Sequence, residues 1–404
     1  MIVLVTAAAL CARLAAQFIL PVETGSDAGA YLEMARTAFG PGVMHDSYGN
    51  FGFYSPGYAL LLGALLAPVG VTIGAVAAVN LALAAITTFL VYLIARAVGA
   101  SPWTAAVSAL LQAAWIPAIV VSAAIARENL SIALLAGFAL AVVWLMRTHR
   151  PVMTAAVAGL CYGLGLLTGA SIILTACAVP VALIMRGPHH RTTFSALMAF
   201  VAAATMMVGP WLWHMQNTLG RPVLTTNAPF NLYIGNNPAA TGYFVSLRDT
   251  PVAAEWHKVR ERDGELAATD WLGGLARDHI RTHPAETAAL SAKKIALFWL
   301  PDIPGAGDAD RGVMRLVRWA AVAEHLAIML FAIAAVARWR RRSSGEQLLI
   351  VIILSFWLVH AAAYVMPRYQ LPAMPLVLVL AAGIFSPMIT RRVAILRNRE
   401  LEPA

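Results

Sequence analysis

Residues 103–146 read WTAAVSALLQAAWIPAIVVSAAIARENLSIALLAGFALAVVWLM. Two apolar runs, 103–122 and 129–146, are each about long enough to cross the hydrocarbon layer of a membrane, and almost no loop separates them. The junction carries Arg127 and Glu128 side by side. Ionisable residues at that depth are costly and usually functional. The alternative is a local Arg–Glu pair at the membrane surface, which contributes little.

Working outward, similar runs recur at 2–20, 71–97, 152–168, 171–185, 193–213, 315–337, 347–366 and 371–390. Hydrophobic residues make up 60% of the 404-residue chain and charged residues only 12%, about half the share of a soluble domain. The expected class is therefore all-α, a polytopic membrane protein of about ten spans with amphipathic helices on its outer face. Basic residues test the orientation. Arg147, His149 and Arg150 share one short loop, and Arg186, His189, His190 and Arg191 another. Arg338, Arg340, Arg341 and Arg342 form a third group, and Arg391, Arg392, Arg397 and Arg399 the tail. Ten spans that start inside put all four groups in the cytoplasm, as the positive-inside rule requires. The net charge of +9 is explained by these loops and does not point to nucleic acid. Cys11, Cys161 and Cys177 lie in apolar runs and read as packing residues, not as a disulfide framework. Residues 1–20 lack a basic leader and a cleavage site and contain Arg13, so an uncleaved first helix is expected. Arg13 needs a partner inside the membrane, which the sequence does not name.

The same topology gathers the rare acids. The first 248 residues hold only Glu23, Asp27, Glu33, Asp46 and Glu128, all on the expected outer face. The chain divides into an N-terminal membrane module, 1–213, an outer segment, 214–314, and C-terminal spans with a cytoplasmic tail, 315–404. Residues 56–69 are too short to cross and read as an interfacial or re-entrant helix, or as an extension of the second span. Thr250-Pro251 is a helix start. A second helix over 285–299 is expected to lie on the bilayer, with Lys293 and Lys294 snorkelling to headgroups.

Several side chains on this face could carry chemistry. Asp27, Tyr31 and Ala35 are spaced by four and share a helix face; equally, Ser26 or Asp27 could simply cap that helix. Arg368 and Tyr369, in Pro-Arg-Tyr-Gln-Leu-Pro, could grip a phosphate or anchor the last span at the interface. Asn236 and Asn237 lie in a turn-rich stretch able to bind sugar hydroxyls or only to shape a loop. His45-Asp46 reads as a solvated loop before an acid–base pair.

Taken together these pieces resemble the C-type membrane glycosyltransferases (GT-C), in the branch of the protein O-mannosyltransferases and aminoarabinose transferases (glycosyltransferase family 39-like). The matching features are Asp27-x-x-x-Tyr31-x-x-x-Ala35, Ser55-Pro56-Gly57-Tyr58, Arg127-Glu128-Asn129-Leu130, Gly235-Asn236-Asn237-Pro238 and Arg368-Tyr369-x-Leu-Pro. Two departures stand out: Asp27 has no adjacent acid, and no sizeable C-terminal soluble domain follows the last span. The resemblance implies a polyprenyl-phosphate sugar donor, surrounding membrane lipids, an acceptor hydroxyl on a protein, lipid or glycan, and a site on the non-cytoplasmic face of a plasma or inner membrane. It implies Asp27 as general base of an inverting transfer. Tyr31, Tyr58, Arg127, Glu128, Asn236, Asn237, Arg368 and Tyr369 would be substrate-binding, with Arg368 and Arg127 at the phosphate. No obligatory metal is expected, although Asp27 and Glu128 could share magnesium or manganese. Two rival classes are a transporter or lipid flippase and a lipid-linked polysaccharide polymerase or ligase.

Overall fold

The computed structural model describes residues 1–187, 190–305 and 312–384. His189, the tail arginines Arg391, Arg392, Arg397 and Arg399, and the end of the last apolar run lie outside the described residues. Each of the ten apolar runs contains helix where described, although 362–366 and 371–373 lie outside helices. Helix α1 (Ile2–Ile19) leads into a loop bearing α2 (Ser26–Thr37) and α3 (Gly57–Leu66). Then come α4 (Ile73–Ala97), α5 (Pro102–Ala114), α6 (Ile116–Ala123), α7 (Glu128–Leu145) and α8 (Pro151–Thr168). A 3-10 stretch, Ala170–Cys177, runs into α9 (Ala178–Arg186), followed by α10 (His190–Leu219). The long second loop carries α11 (Asn227–Gly235), α12 (Ala253–Thr282) and α13 (Pro284–Leu297). The chain closes with α14 (Val313–Ala337), α15 (Ser344–Leu358) and α16 (Met374–Gly383). Among the described residues, seven helices are long and apolar enough to cross a membrane, and the bent α5–α6 pair makes an eighth. The runs at 171–185 and 371–390 appear as shorter apolar helices, Ala170–Arg186 and Met374–Gly383. The protein is a multi-pass membrane protein.

Local chemistry sets these boundaries. Thr72 and Ser101 cap α4 and α5 through their hydroxyls, with Pro102 at the first position of α5. Ser343 and Glu346 form a capping box at α15. Helix α7 is the central post: 78% of its apolar window is buried, against 17% for α1 and 28% for α14. Its neighbours α4 and α8 pack along it, and α16 is buried along nearly its whole length. Without a hydrophobic drive between spans, small residues bring helices together. On α8, a side chain at Gly159 would meet the Phe200 carbonyl oxygen at 2.3 Å, and one at Gly163 the Ala204 carbonyl oxygen at 2.8 Å. That glycine pair lets α10 lie directly on α8.

The break between α5 and α6 supplies the partner of Arg13. Pro117 has no N–H to give the Ala113 carbonyl, and the pair bends by 52° at Trp115. Arg13 of α1 donates to the freed Ala113 oxygen at 2.9 Å and to Gln112 oxygen at 3.0 Å. On the other side of the break, the Ile116 N–H donates to the Glu324 carboxylate of α14 at 2.9 Å. A cation thus closes the carbonyl end of one half-helix and an anion the N–H end of the other, the signs that the helix dipoles favour.

The outer layer corrects several expectations. Residues 56–69 form a separate helix, α3, distinct from the second span, and it is buried against α2 and α8. Close approach at both ends requires glycine: a side chain at Gly57 would collide with Leu167 and Thr168, one at Gly63 with the Ala35 carbonyl. The helix expected from Thr250-Pro251 begins at Ala253 and kinks at Gly264, whose φ is +82°. Lys293 is exposed, but Lys294 does not snorkel. It is fully buried and donates to Asn236 Oδ1 at 3.1 Å, because the 235–242 loop covers that face of α13.

Candidate functional site

The connections of the bundle bring the start of α2, the start of α7 and the segment before α16 to one end. The opposite end holds the basic groups: Arg147 donates to Ala97 oxygen at 3.1 Å, and Arg342 to Glu346 at 2.8 Å. At the first end, Asp27 lies in the opening turn of α2. Neither Ser26 nor Asp27 caps the helix through its side chain, since Gly25 occupies the cap position. The Asp27 carboxylate instead accepts from Arg368 Nη2 at 2.5 Å. Arg368 Nε lies 3.7 Å from Glu128 Oε1. Three residues that span 341 positions of sequence therefore form one acid–arginine–acid array. Glu128 is buried, while Arg368 is 41% and Asp27 36% exposed at their side chains. Burial opposes the charge on Arg368, but the carboxylates of Glu128 and Asp27 outweigh it and hold the guanidinium above its ordinary pKa.

This array stands at the head of a cavity of about 610 Å³. Asp27, Glu128, Arg368 and Gln370 line its polar end, with Glu23, Asp302 and Arg318 beside them. The rest runs between α6 and α14, past Trp115, Val120, Val121, Val317, Ala321 and Val322. A charged head joined to an apolar corridor is the shape of a site for an amphiphile. Arg318 also pairs with Asp302 at 3.3 Å.

The remaining expected site residues divide. Tyr31 is buried beside the array and meets the rings of Tyr54 and Tyr58 edge-on at 5.6 and 5.7 Å. Tyr369 packs on His360 and Tyr364 directly behind Arg368. Arg127 does not reach the cavity. It turns away, donating to Ser55 Oγ at 3.0 Å and to Thr168 oxygen at 3.2 Å, in space that Gly169 leaves open. Tyr58 is fully buried and donates to Asn80 Oδ1 at 2.8 Å, which anchors α3 to α4. Asn236 and Asn237 are buried and their amides serve the backbone. Asn236 donates to Leu232 and Ala362 oxygens, both at 2.8 Å, and Asn237 to Tyr233 oxygen at 2.8 Å. Gly235 presses on Ala363, where a side chain would meet the carbonyl oxygen at 2.2 Å. The Val365 N–H donates to Gly242 oxygen at 2.9 Å. The asparagine-rich motif thus clamps residues 362–365 and so aims Arg368; its buried amides have no donors left over for a sugar. Asp46, likewise, is buried and holds its own turn, accepting from Tyr48 and Asn50.

Sequence reasoning missed Tyr54, a half-buried ring near Asp27; burial, then the nearby Asp27 charge, raises its pKa. It also missed Arg318, which is ionisable within an apolar run and could have been found by that signal. Among the described residues, no three His, Cys, Asp or Glu side chains gather as metal ligands. The two carboxylates that a cation could share already have Arg368 between them, so a shared ion would have to displace that side chain.

No family model and no curated protein matches the chain. Solved structures do. The oligosaccharyltransferase AglB of Archaeoglobus fulgidus, in complex with an inhibitory peptide and a dolichol-phosphate, matches with a TM-score of 0.56 and 13% identity, over 97% of this chain and 51% of that one. The apo form of the Archaeoglobus fulgidus oligosaccharyltransferase gives 0.57 and 12%, over 98% and 52%. The form tethered to an acceptor peptide with an NVT sequon gives 0.57 and 13%, over 97% and 50%. The chain spans about half the length of these neighbours. At this identity the likeness is one of fold: the protein has the C-type glycosyltransferase architecture.

Proposed function

We infer that the protein transfers a sugar from a polyprenyl-phosphate donor to an acceptor hydroxyl, with inversion at the anomeric carbon. The observation that carries this reading is the cavity that joins an apolar corridor to the Asp27–Arg368–Glu128 array. The corridor between α6 and α14 accepts the prenyl chain. Arg368, with Arg318 on the wall of the same cavity, faces the phosphate and stabilises the charge that develops as it leaves. Asp27 takes the acceptor proton as the acceptor oxygen bonds to the anomeric carbon. The bond from that carbon to the phosphate oxygen breaks, and the electron pair leaves with the polyprenyl phosphate. Glu128 holds Arg368 from the buried side. The positive-inside rule, applied to the basic end of the bundle, supports a site on the non-cytoplasmic face. An Arg340→Cys variant should then react with an impermeant thiol reagent from the cytoplasmic side only.

The direct test uses protein in lipid with a panel of polyprenyl-phosphate sugars. Wild type should consume at least one donor, and Asp27→Asn should slow transfer by about 10²- to 10⁴-fold. A folded Asp27→Asn variant with full transfer would remove Asp27 as the base. Movement of a solute or lipid across the membrane, with no donor consumed or bound, would establish a transporter instead.

A further inference from the structure

The outer face holds a second cavity, of about 270 Å³, with Tyr54 in its wall. Its walls are aromatic: Tyr48, Phe53 and Tyr54 from the first loop, Phe230 from α11, Phe244 from the loop that follows, and Trp256 from α12. The rings form a continuous run. Tyr31 meets Tyr54 at 5.6 Å, Tyr54 meets Phe53 at 5.4 Å, Phe53 meets Phe230 at 5.3 Å, and Phe230 meets Trp256 at 5.8 Å. Tyr54 links the two neighbourhoods: its ring lines this cavity and meets Tyr31, one turn along α2 from Asp27, which lines the other.

The walls are locked across more than half the chain. Arg260 of α12 donates to the Tyr48 carbonyl at 3.1 Å and to Asn50 Oδ1 at 2.6 Å. Glu265 accepts from the Phe51 N–H at 2.8 Å and the Gly52 N–H at 3.2 Å, and from the Thr226 hydroxyl. The left-handed turn at Gly264 separates the half of α12 that carries Trp256 and Arg260 from the half that follows Glu265. Such a cavity is preorganised, with rings for its walls and Arg248, His257 and Arg260 as hydrogen-bond donors among them.

We propose that this cavity is the acceptor subsite and that its occupant is a carbohydrate chain. This rests on the transferase reading above. A sugar ring offers apolar C–H faces to aromatic side chains and hydroxyls to fixed polar groups, and this wall supplies both. A peptide in an extended form would need a row of backbone donors and acceptors, and the polar groups that line this cavity are side chains. A glycan seated on the rings of Phe230 and Trp256 would extend its terminal hydroxyl past Tyr54 to Asp27, opposite the donor.

The test needs no donor. Wild-type protein in nanodiscs is titrated with neutral and uronic-acid-containing tri- to hexasaccharides, and separately with short peptides, with ligand-observed NMR as the readout. At least one saccharide should bind, and a Tyr48→Ala/Phe244→Ala variant should weaken it by about tenfold. Both rings are more than a third exposed, so their loss leaves the core intact. The proposal is overturned if no saccharide binds wild type, if the variant binds equally well, or if peptides bind and the double variant weakens them instead. Retention of a labelled polyprenyl-phosphate sugar by wild type is measured in parallel. Saccharide binding without donor retention would sink the donor reading and leave this cavity standing; the reverse would sink the cavity alone.

Discussion

The α5–α6 pair and α7 are neighbouring apolar segments of similar composition, and they end as different objects. Helix α7 is continuous, buried along 78% of its window, and presents Arg127 and Glu128 at its first turn. It acts as a ruler, setting how deep Glu128 stands behind Arg368. The α5–α6 pair contains Pro117, bends by 52°, and lends α6 to the wall of the larger cavity. A continuous helix satisfies its own backbone; a broken one has to borrow partners, here Arg13 and Glu324. The contrast teaches that this fold separates positioning from accommodation. A rigid span holds the charged side chains of the cavity, and a broken span supplies part of its apolar wall.

The largest effect should come from the tip of the ruler. Glu128→Gln keeps the shape but removes one of the two charges on Arg368, and transfer is expected to fall by about a hundredfold with the protein still folded. Near-normal turnover of the variant in lipid would show that α7 places no group that matters to the reaction. The break should respond in stability instead. Arg13→Met strips the partners from the Ala113 and Gln112 carbonyls and is expected to cost about 3 kcal/mol in reversible unfolding from mixed micelles. Glu324→Gln keeps an acceptor for the Ile116 N–H and should cost only about 1 kcal/mol. Equal losses for the two variants would mean that general packing, not the sign of each charge, holds the bend. The smallest effect concerns Lys294, a buried cation with only an amide oxygen as its identified partner, where Arg13 has several carbonyls. Burial lowers its pKa to about 8, below the value of about 10.4 expected in the unfolded chain. Between these values the unfolded chain holds a proton that the folded one has lost, so stability should rise as pH increases from about 8 to about 10. Below that window the penalty for charging Lys294 is fully present. Lys294→Met should flatten the rise, which melting in detergent across that range would reveal.

Much of this layout can be read from the chain alone, for a definite reason. Apolar runs and basic loops are one-dimensional signals, so they report on spans and sides, and every run contains helix where it is described, one of them broken in two. The meeting of Asp27, Glu128 and Arg368 at one end follows from counting crossings. Side-chain direction does not. Arg127 and Arg368 look equally fit for a phosphate in sequence, yet Arg127 turns toward Ser55 and Thr168 because Gly169 leaves a space there. Asn236 and Asn237 offered amides that a loop could use on a sugar, and the backbone of residues 232–234 and 362 takes them first. Tyr54 had no periodicity to announce it, since its importance lies in nearness to a residue 27 positions earlier in an irregular loop.

The clasp at the helix break also bears on how the chain is built. Arg13 enters the bilayer with the first span, where it can reach the Ala9 carbonyl of its own helix, but its two partners on α5 do not exist until that helix has been made; an arginine at mid-span costs roughly 2.5–3.5 kcal/mol in insertion. Glu324 arrives later still, with α14. The first helix is therefore provisional when it is inserted, free to slide or tilt until the third span closes over its guanidinium. The bend between α5 and α6 receives its second charge only after most of the protein is in place. Synthesis and maturation of the apolar corridor are thereby separated in time: the wall is laid early and braced near the end.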